Sequence, residues 1–369
     1  MYLAGTGATN GGASRARSVD PSTSLWAGSG SGRRDVEIER PLVSDYYQAA
    51  GEVCMTSCKR SVKYLFAVAV ILAVILFATL AFAQPPSGSV FLNIDHVSVC
   101  GSNLEVMQQA FAAAGLATEY GGPHATGGTH MALLGFPDGS YIELIAPQAG
   151  VQGDGNGWGK LMADNAGPCA WAVEPKNIGE EVARLKSVGM PVEGPTLGSR
   201  KKPDGLAIEW DTAKVGSGTP GSTLPFLIQD RTPREWRVTV SKSVEGSGLG
   251  GVEVAIIAVN DLNSAISLFR KAYGWSAPLT EDHSDFEAKL AYFPGEPVIL
   301  AAPAGGHSWL ADRLQKGGET PAAYLLSTQD LNAVMKKFHL SGTKTWFGQR
   351  VAWFDAKKLN GTRIGVIGQ

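Results

Sequence analysis

FLNIDHVSV, residues 91–99, and THMALLGFPDGSYIELIAP, residues 129–147, frame one strand–helix–strands unit. Between them Leu104, Met107, Phe111 and Ala114 recur three or four positions apart, which predicts a helix over 103–114. Gly115 follows as a C-cap signal, and Pro137-Asp138-Gly139 reads as a turn between two strands. Side chains along a strand alternate between its two faces. His96 is therefore expected to face away from Asp95 and Val97, and Glu143 away from Ile142 and Leu144. An imidazole and a carboxylate brought side by side form half of a divalent-metal site.

The same order of elements recurs through the rest of the chain, in units of roughly 50–65 residues. A second unit opens with Cys169–Val173 and a helix Ile178–Ser187, followed by strands Ala207–Asp211 and Leu224–Gln229. A third opens with Val252–Val259; Asp261 caps its helix, Gly274 ends it, and strands Ala288–Phe293 and Pro297–Ala302 follow. A fourth has Ala322–Ser327, a helix Asp330–Leu340, and strands Thr343–Phe347, Arg350–Phe354 and Thr362–Ile367. Several strands follow each helix, joined by tight turns, whereas a doubly wound fold would alternate strand and helix throughout. The expectation is an α+β protein of two domains, 90–240 and 251–369, each a pair of βαβββ modules. SKSVEGSGLGG at Ser241–Gly251 reads as a Gly/Ser linker between them.

The composition is globular: 44% hydrophobic, 18% charged and a net charge of −2, with no basic stripe of the kind that binds nucleic acid. The N-terminus differs. Residues 1–62 are rich in Gly, Ser and Ala and are expected to form a disordered tail. The segment 63–83 is a predicted membrane-crossing or signal helix: a basic flank ends at Lys63, and Tyr64 to Ala83 is apolar apart from Thr79. Ala81-Phe82-Ala83 fits a signal-peptidase site, and Met55 would then be a natural start; the alternative is an uncleaved anchor on a chain starting at Met1. Both readings place everything after Gln84 outside the cytoplasm, membrane-anchored or secreted. There Cys100 and Cys169 could form a disulfide, although two buried thiols are the default expectation.

IDHVSV, GTHMALLGFPDGSYIELIAP, GSRKKPDGLAIEW, LPFLIQD and RTPREWRV, in that order and spacing, resemble the glyoxalase-like domains of the vicinal-oxygen-chelate superfamily. The resemblance covers residues 90–240 and implies tandem βαβββ modules with a metal held between two of them. It places His96 and Glu143 at ligand positions, and the corresponding positions of the second unit at Ala170 and Phe226, which cannot ligate. In the third unit they fall at Val254 and Ile299, with Glu253 one residue out and so on the wrong face. The second domain is expected to be degenerate, a scaffold without a metal site. The resemblance also sets the first strands of units one and two side by side, with Cys100 and Cys169 about three residues out of register.

A divalent ion needs a third ligand. His130 is the leading candidate, opening the strand beside that of Glu143 if Pro137-Asp138-Gly139 makes a hairpin, on the side of Ala132 and Leu134; His124, in GGPHATGG, is the weaker one. His283, His307 and His339 read as surface or loop residues. Arg200, with Lys201 and Lys202, is a candidate for an anionic substrate or a solvated loop. Arg234 and Arg237 could grip a carboxylate bidentately, on a substrate or on Asp230 or Glu235. Trp210 and Phe226 are expected to line the binding pocket. Two functions follow as expectations. One is a lyase, isomerase or dioxygenase acting on a small oxygenated molecule through one divalent ion (Zn, Fe, Mn or Ni), with Glu143 moving a proton. The other is a metal-free protein that sequesters a small molecule.

Overall fold

The computed structural model describes residues 90–125, 128–150 and 157–368, all within one compact unit, Ala83–Gln369. The predicted tail and apolar span lie outside the described residues. None of the described helices is long and apolar enough to cross a membrane.

Four βαβββ modules make two eight-stranded sheets. Module one comprises β1 (Ile94–Cys100), α1 (Leu104–Ala113), β2 (Glu119–Pro123), β3 (Thr129–Gly135) and β4 (Tyr141–Pro147). A short α2 (Gly159–Ala163) leads to module two: β5 (Gly167–Val173), α3 (Ile178–Ser187), β6 (Val192–Lys201), β7 (Ala207–Val215) and β8 (Phe226–Asp230), closed by the single turn α4 (Arg234–Arg237). Module three runs β9 (Leu249–Ala258), α5 (Leu262–Tyr273), β10 (Leu279–His283), β11 (Ala288–Tyr292) and β12 (Val298–Pro303). After α6 (Trp309–Gly317), module four runs β13 (Pro321–Thr328), α7 (Leu331–Phe338), β14 (Lys344–Trp346), β15 (Gln349–Trp353) and β16 (Ile364–Gly368).

The strand order is β2-β3-β4-β1-β5-β8-β7-β6 in the first sheet and β10-β11-β12-β9-β13-β16-β15-β14 in the second, the same topology twice. In each sheet the opening strand of one module pairs antiparallel with that of the next, β1 with β5 and β9 with β13. Alternation sorts the side chains. Val97 and Val99 of β1, Ala132 and Leu134 of β3, and Ile142 and Leu144 of β4 face the helices, in a core shared with Phe111, Val182, Phe269 and Val334. That core runs through both sheets, so the two sheets pack as one body. The Ser241–Gly251 stretch is accordingly no loose tether: Ser241, Val244 and Ser247 are buried, and Ser241 Oγ accepts from Gly135 N at 3.0 Å.

Two strands escaped the sequence reading. β6 contains Gly194-Pro195, which reads as a break; the structure tolerates it on the sheet edge, where the register with β7 slips between Glu193 and Thr196. β10 is the polar run LTEDH, also an edge strand, with little apolar patterning to mark it. Its His283 is no free surface residue, since Nε2 lies 2.7 Å from Glu281 and Nδ1 3.5 Å from Asp285.

Cys100 and Cys169 form a disulfide with Cα atoms 5.8 Å apart, in place of the two buried thiols expected. The cause is local. A register shift between Ser98 and Val99, opposite Ala170 and Pro168, leaves Cys169 as the extra residue of a bulge, so that it shares the side of Cys100, Ala170 and Ala172 instead of alternating away from it.

The second sheet's other face is filled. Phe286, Trp309, Trp346 and Trp353 pack over Val254, Ile256 and Ile299. Ile256 pairs with Ile299 as Ser98 pairs with Glu143, so Val254 and Ile299 do occupy the places of His96 and Glu143.

Candidate functional site

The first sheet curls around a cleft of about 740 Å³ on the face turned away from the helices. Its polar end is built by β1, β4 and the loop after β2. Register sets Ser98 beside Glu143 on the paired strands β1 and β4, and Ser98 Oγ donates to Glu143 Oε2 at 2.9 Å. That leaves Oε1 facing the cleft and His124, whose Nε2 lies 3.5 Å away. His124 forms an isolated bridge with Arg200 that joins the end of β2 to β6 and helps close the curl. Its Nδ1 is held 2.8 Å from Thr129 Oγ1. Burial pushes the His124 imidazole below the usual histidine range, against the opposing pull of Glu143.

His96 lies across from Glu143, with Nε2 4.0 Å from Oε2, too far for a hydrogen bond. Tyr141 stacks on its ring at 4.6 Å and Phe226 meets it edge-on at 5.4 Å. The strand alternation expected here fails at one residue. Ile94 pairs with Val173 and His96 with Ala172, so Asp95 is the extra residue of a β-bulge. The bulge turns Asp95 to the side of His96, and its Oδ1 lies 2.5 Å from His96 Nδ1. Asp95 is fully buried. Arg237 grips it at 2.9 and 2.7 Å, Arg234 adds another contact, and Asp230 binds Arg237 at 2.6 and 2.9 Å. Burial alone would raise the Asp95 pKa, but Arg237 and the His96 hydrogen bond outweigh it and hold the carboxyl well below the usual carboxylate range.

The predicted site residues divide accordingly. His96, Glu143, Trp210 and Phe226 line one cleft. His130 does not line it: it pairs with Ala146, on the helix-facing side of the sheet, and its ring meets Tyr120 edge-on. Strand parity had put it with Ala132 and Leu134, and that face is the wrong one. His124 stands in its place, because the loop carries it over the rim where no strand parity applies. Arg200 lines the cleft, but its guanidinium donates to Gly121 O and, at 2.6 Å, to Arg237 O, so it is neither a solvated loop residue nor a free anion receptor. Arg234 lies behind the cleft, bound to Asp95, Asp230 and, at 2.6 Å, Gly139 O. Asp95, Ser98 and Tyr141 were missed, and only the bulge explains Asp95.

Beyond the polar end the cleft is aromatic, with Trp158, Trp210, Phe226 and Tyr141 along its walls. Gly198 pairs with Trp210 on the neighbouring strand, and a Cβ at residue 198 would stand 2.4 Å from the indole Nε1. The missing side chain lets the indole lie against β6.

The donor set of two imidazole Nε2 atoms and a carboxylate suits a divalent ion. Ligands on 2.1 Å bonds at tetrahedral angles stand about 3.4 Å apart. The His124–Glu143 separation already matches, and the His96–Glu143 separation is wider by about half an ångström. Among the described residues no group of three such side chains is drawn together around an ion as it stands.

A family model described as a glyoxalase-like domain matches residues 94–271, the whole first sheet and onward into α5. No curated protein matches the chain. Among solved structures, a hypothetical protein from Staphylococcus aureus is similar at 13% identity, TM-score 0.50, over 76% of this chain and 100% of that one. Methylmalonyl-CoA epimerase from Mycobacterium tuberculosis is similar at 21% identity, TM-score 0.30, over 35% of this chain and 92% of its own. The Streptomyces coelicolor epimerase, solved with 2-nitronate-propionyl-CoA, is similar at 19% identity, TM-score 0.29, over 32% of this chain and 96% of its own. With its doubled βαβββ topology and the matched segment taken together, the chain carries a glyoxalase-like domain of the vicinal-oxygen-chelate superfamily.

Proposed function

We propose that the chain is an enzyme that binds a small oxygenated molecule in the first sheet's cleft and moves a proton on it with Glu143. The observation that carries this reading is the convergence of His96 Nε2 and His124 Nε2 on the Glu143 carboxylate at one end of an aromatic-walled cleft. Ser98 occupies Oε2, so Oε1 is the oxygen free to accept a proton from a bound molecule. Tyr141 and Phe226 restrain His96. If an ion is held there, His96 and His124 would ligate it and it would polarise the oxygens of the bound molecule, with Glu143 left as the base. The second sheet serves as scaffold, since Val254 and Ile299 stand where ligands would be needed.

The alternative is a metal-free binding protein. It is favoured by Ala170 and Phe226 at the matching positions of module two and by the half-ångström gap at His96. Calorimetric titration of the protein with Zn, Fe(II), Mn and Ni separates the two. The enzyme reading expects one site per chain, weakened by His96→Ala or His124→Ala and untouched by His130→Ala. No binding, together with tight uptake of a small oxygenated molecule, would favour sequestration.

We further propose that the described unit works outside the cytoplasm. The apolar run Tyr64 to Ala83 and the Cys100–Cys169 disulfide both support this.

A further inference from the structure

We infer that Asp95 is the positioning residue of the cleft: through a β-bulge it holds His96 in the tautomer that carries its proton on Nδ1 and so turns a bare Nε2 towards Glu143. This rests on the cleft reading above and adds to it a residue that touches neither ion nor bound molecule.

The argument is one of donors and acceptors. Asp95 Oδ1 receives Arg237 Nη1 at 2.9 Å, and Oδ2 receives Arg237 Nη2 at 2.7 Å together with Arg234 Nη1. A guanidinium only donates, so both carboxylate oxygens are acceptors. The 2.5 Å contact between Oδ1 and His96 Nδ1 therefore requires the proton on Nδ1. A neutral imidazole with that proton has its lone pair on Nε2. That atom has Glu143 at 4.0 Å, beyond hydrogen-bond reach, and it lines the cleft on a residue only 4% exposed.

The device is assembled from two modules. Asp95 and His96 belong to β1 of module one, whereas Asp230, Arg234 and Arg237 follow from β8 and α4 of module two. The bulge is essential, because in regular alternation Asp95 would point into the helix-facing core, where a carboxylate would have no partner. Module pairing and the bulge thus arm the histidine together. His124 is not fixed in this way, since Thr129 Oγ1 either donates or accepts.

The test is long-range ¹H–¹⁵N correlation on the histidines of the full chain at pH 8, without added metal or ligand, with the His96 signals assigned by their loss in His96→Gln. The inference expects wild-type His96 to be the Nδ1–H tautomer. A wild-type His96 protonated on Nε2 overturns it, and that result needs no variant. Asp95→Ala, which removes the acceptor, should move His96 towards the Nε2–H form while leaving His283, on the other sheet, unchanged; an unaltered tautomer in a folded Asp95→Ala protein also overturns it. Zn titration supplies a second readout. Loss of a partner that orients a ligand histidine weakens metal affinity roughly 10–100-fold, and that loss is expected for Asp95→Ala. If the wild type binds no Zn, the metal part of the proposed function fails, while the tautomer measurement still decides the role of Asp95.

Discussion

Reducing the Cys100–Cys169 bridge is expected to cost the protein about 4 kcal/mol. The two cysteines are separated by 69 positions. In the chain-entropy model a loop of that length removes about 15 cal/mol/K from the unfolded ensemble, or about 4.4 kcal/mol at 25 °C. Both sulfurs are buried where β1 and β5 pair, so the reduced thiols gain no hydration in the folded state to offset the loss. For a unit of this size a loss of about 4 kcal/mol lowers Tm by about 7 °C. The comparison is between oxidised wild type and the same protein reduced and alkylated in the unfolded state or held in reductant, which avoids the cavities that Cys→Ala changes would open. Guanidinium unfolding should give a lower midpoint with a similar slope. Coincident unfolding curves, or two alkylatable thiols in protein taken from an oxidising compartment, would refute the reasoning.

Three other outcomes follow from single side chains. Burial raises the Glu296 carboxyl to about 7, and its Oε2 has no hydrogen-bond partner. The folded state then binds more protons than the unfolded chain between the ordinary carboxylate range and pH 7. Stability is therefore fully present below that range and falls as pH rises towards neutrality; Glu296→Gln should flatten this dependence in pH-resolved melts. Arg237→Leu would remove the bidentate partner of the buried Asp95, leaving it Arg234 and His96, and should cost up to about 3 kcal/mol by denaturant unfolding. Gly198→Ala would drive a Cβ into the Trp210 indole, costing about 1–3 kcal/mol and shifting the tryptophan emission as the indole turns; an unchanged spectrum would contradict the packing.

Much of the fold was legible in residue periodicity. The apolar spacing of Leu104, Met107 and Phe111 gave α1 almost to the residue, and Ile178–Ser187 is α3 as read. The missing strands were those whose identity comes from their neighbours: β6 tolerates Gly194-Pro195 because it lies at an edge, and β10 gains its order from β11. Strand parity was sound at Glu143; His130 does lie on the side of Ala132 and Leu134, and it is the pairing with Ala146, which one strand's sequence does not carry, that puts that side away from the cleft. Parity misled at Asp95, a bulge residue, and a second bulge at Cys169 shifted the register against which the disulfide had been weighed. A bulge is a property of two strands in register, and one strand's sequence does not carry it. His124 was obscured for a related reason, since a rim residue is placed by the closure of the curl against Arg200.

The central claim is that Glu143 moves a proton on a small oxygenated molecule held in the cleft. Proton exchange next to a carbonyl tests it most directly: small hydroxy-ketones in D₂O are followed by ¹H NMR with the protein, alone and with each divalent ion. The account predicts exchange well above the uncatalysed rate for wild type and a loss of at least about 100-fold in Glu143→Gln, the scale on which a positioned general base acts. Exchange that stays at the uncatalysed rate under every condition, or that survives unchanged in Glu143→Gln, would contradict it.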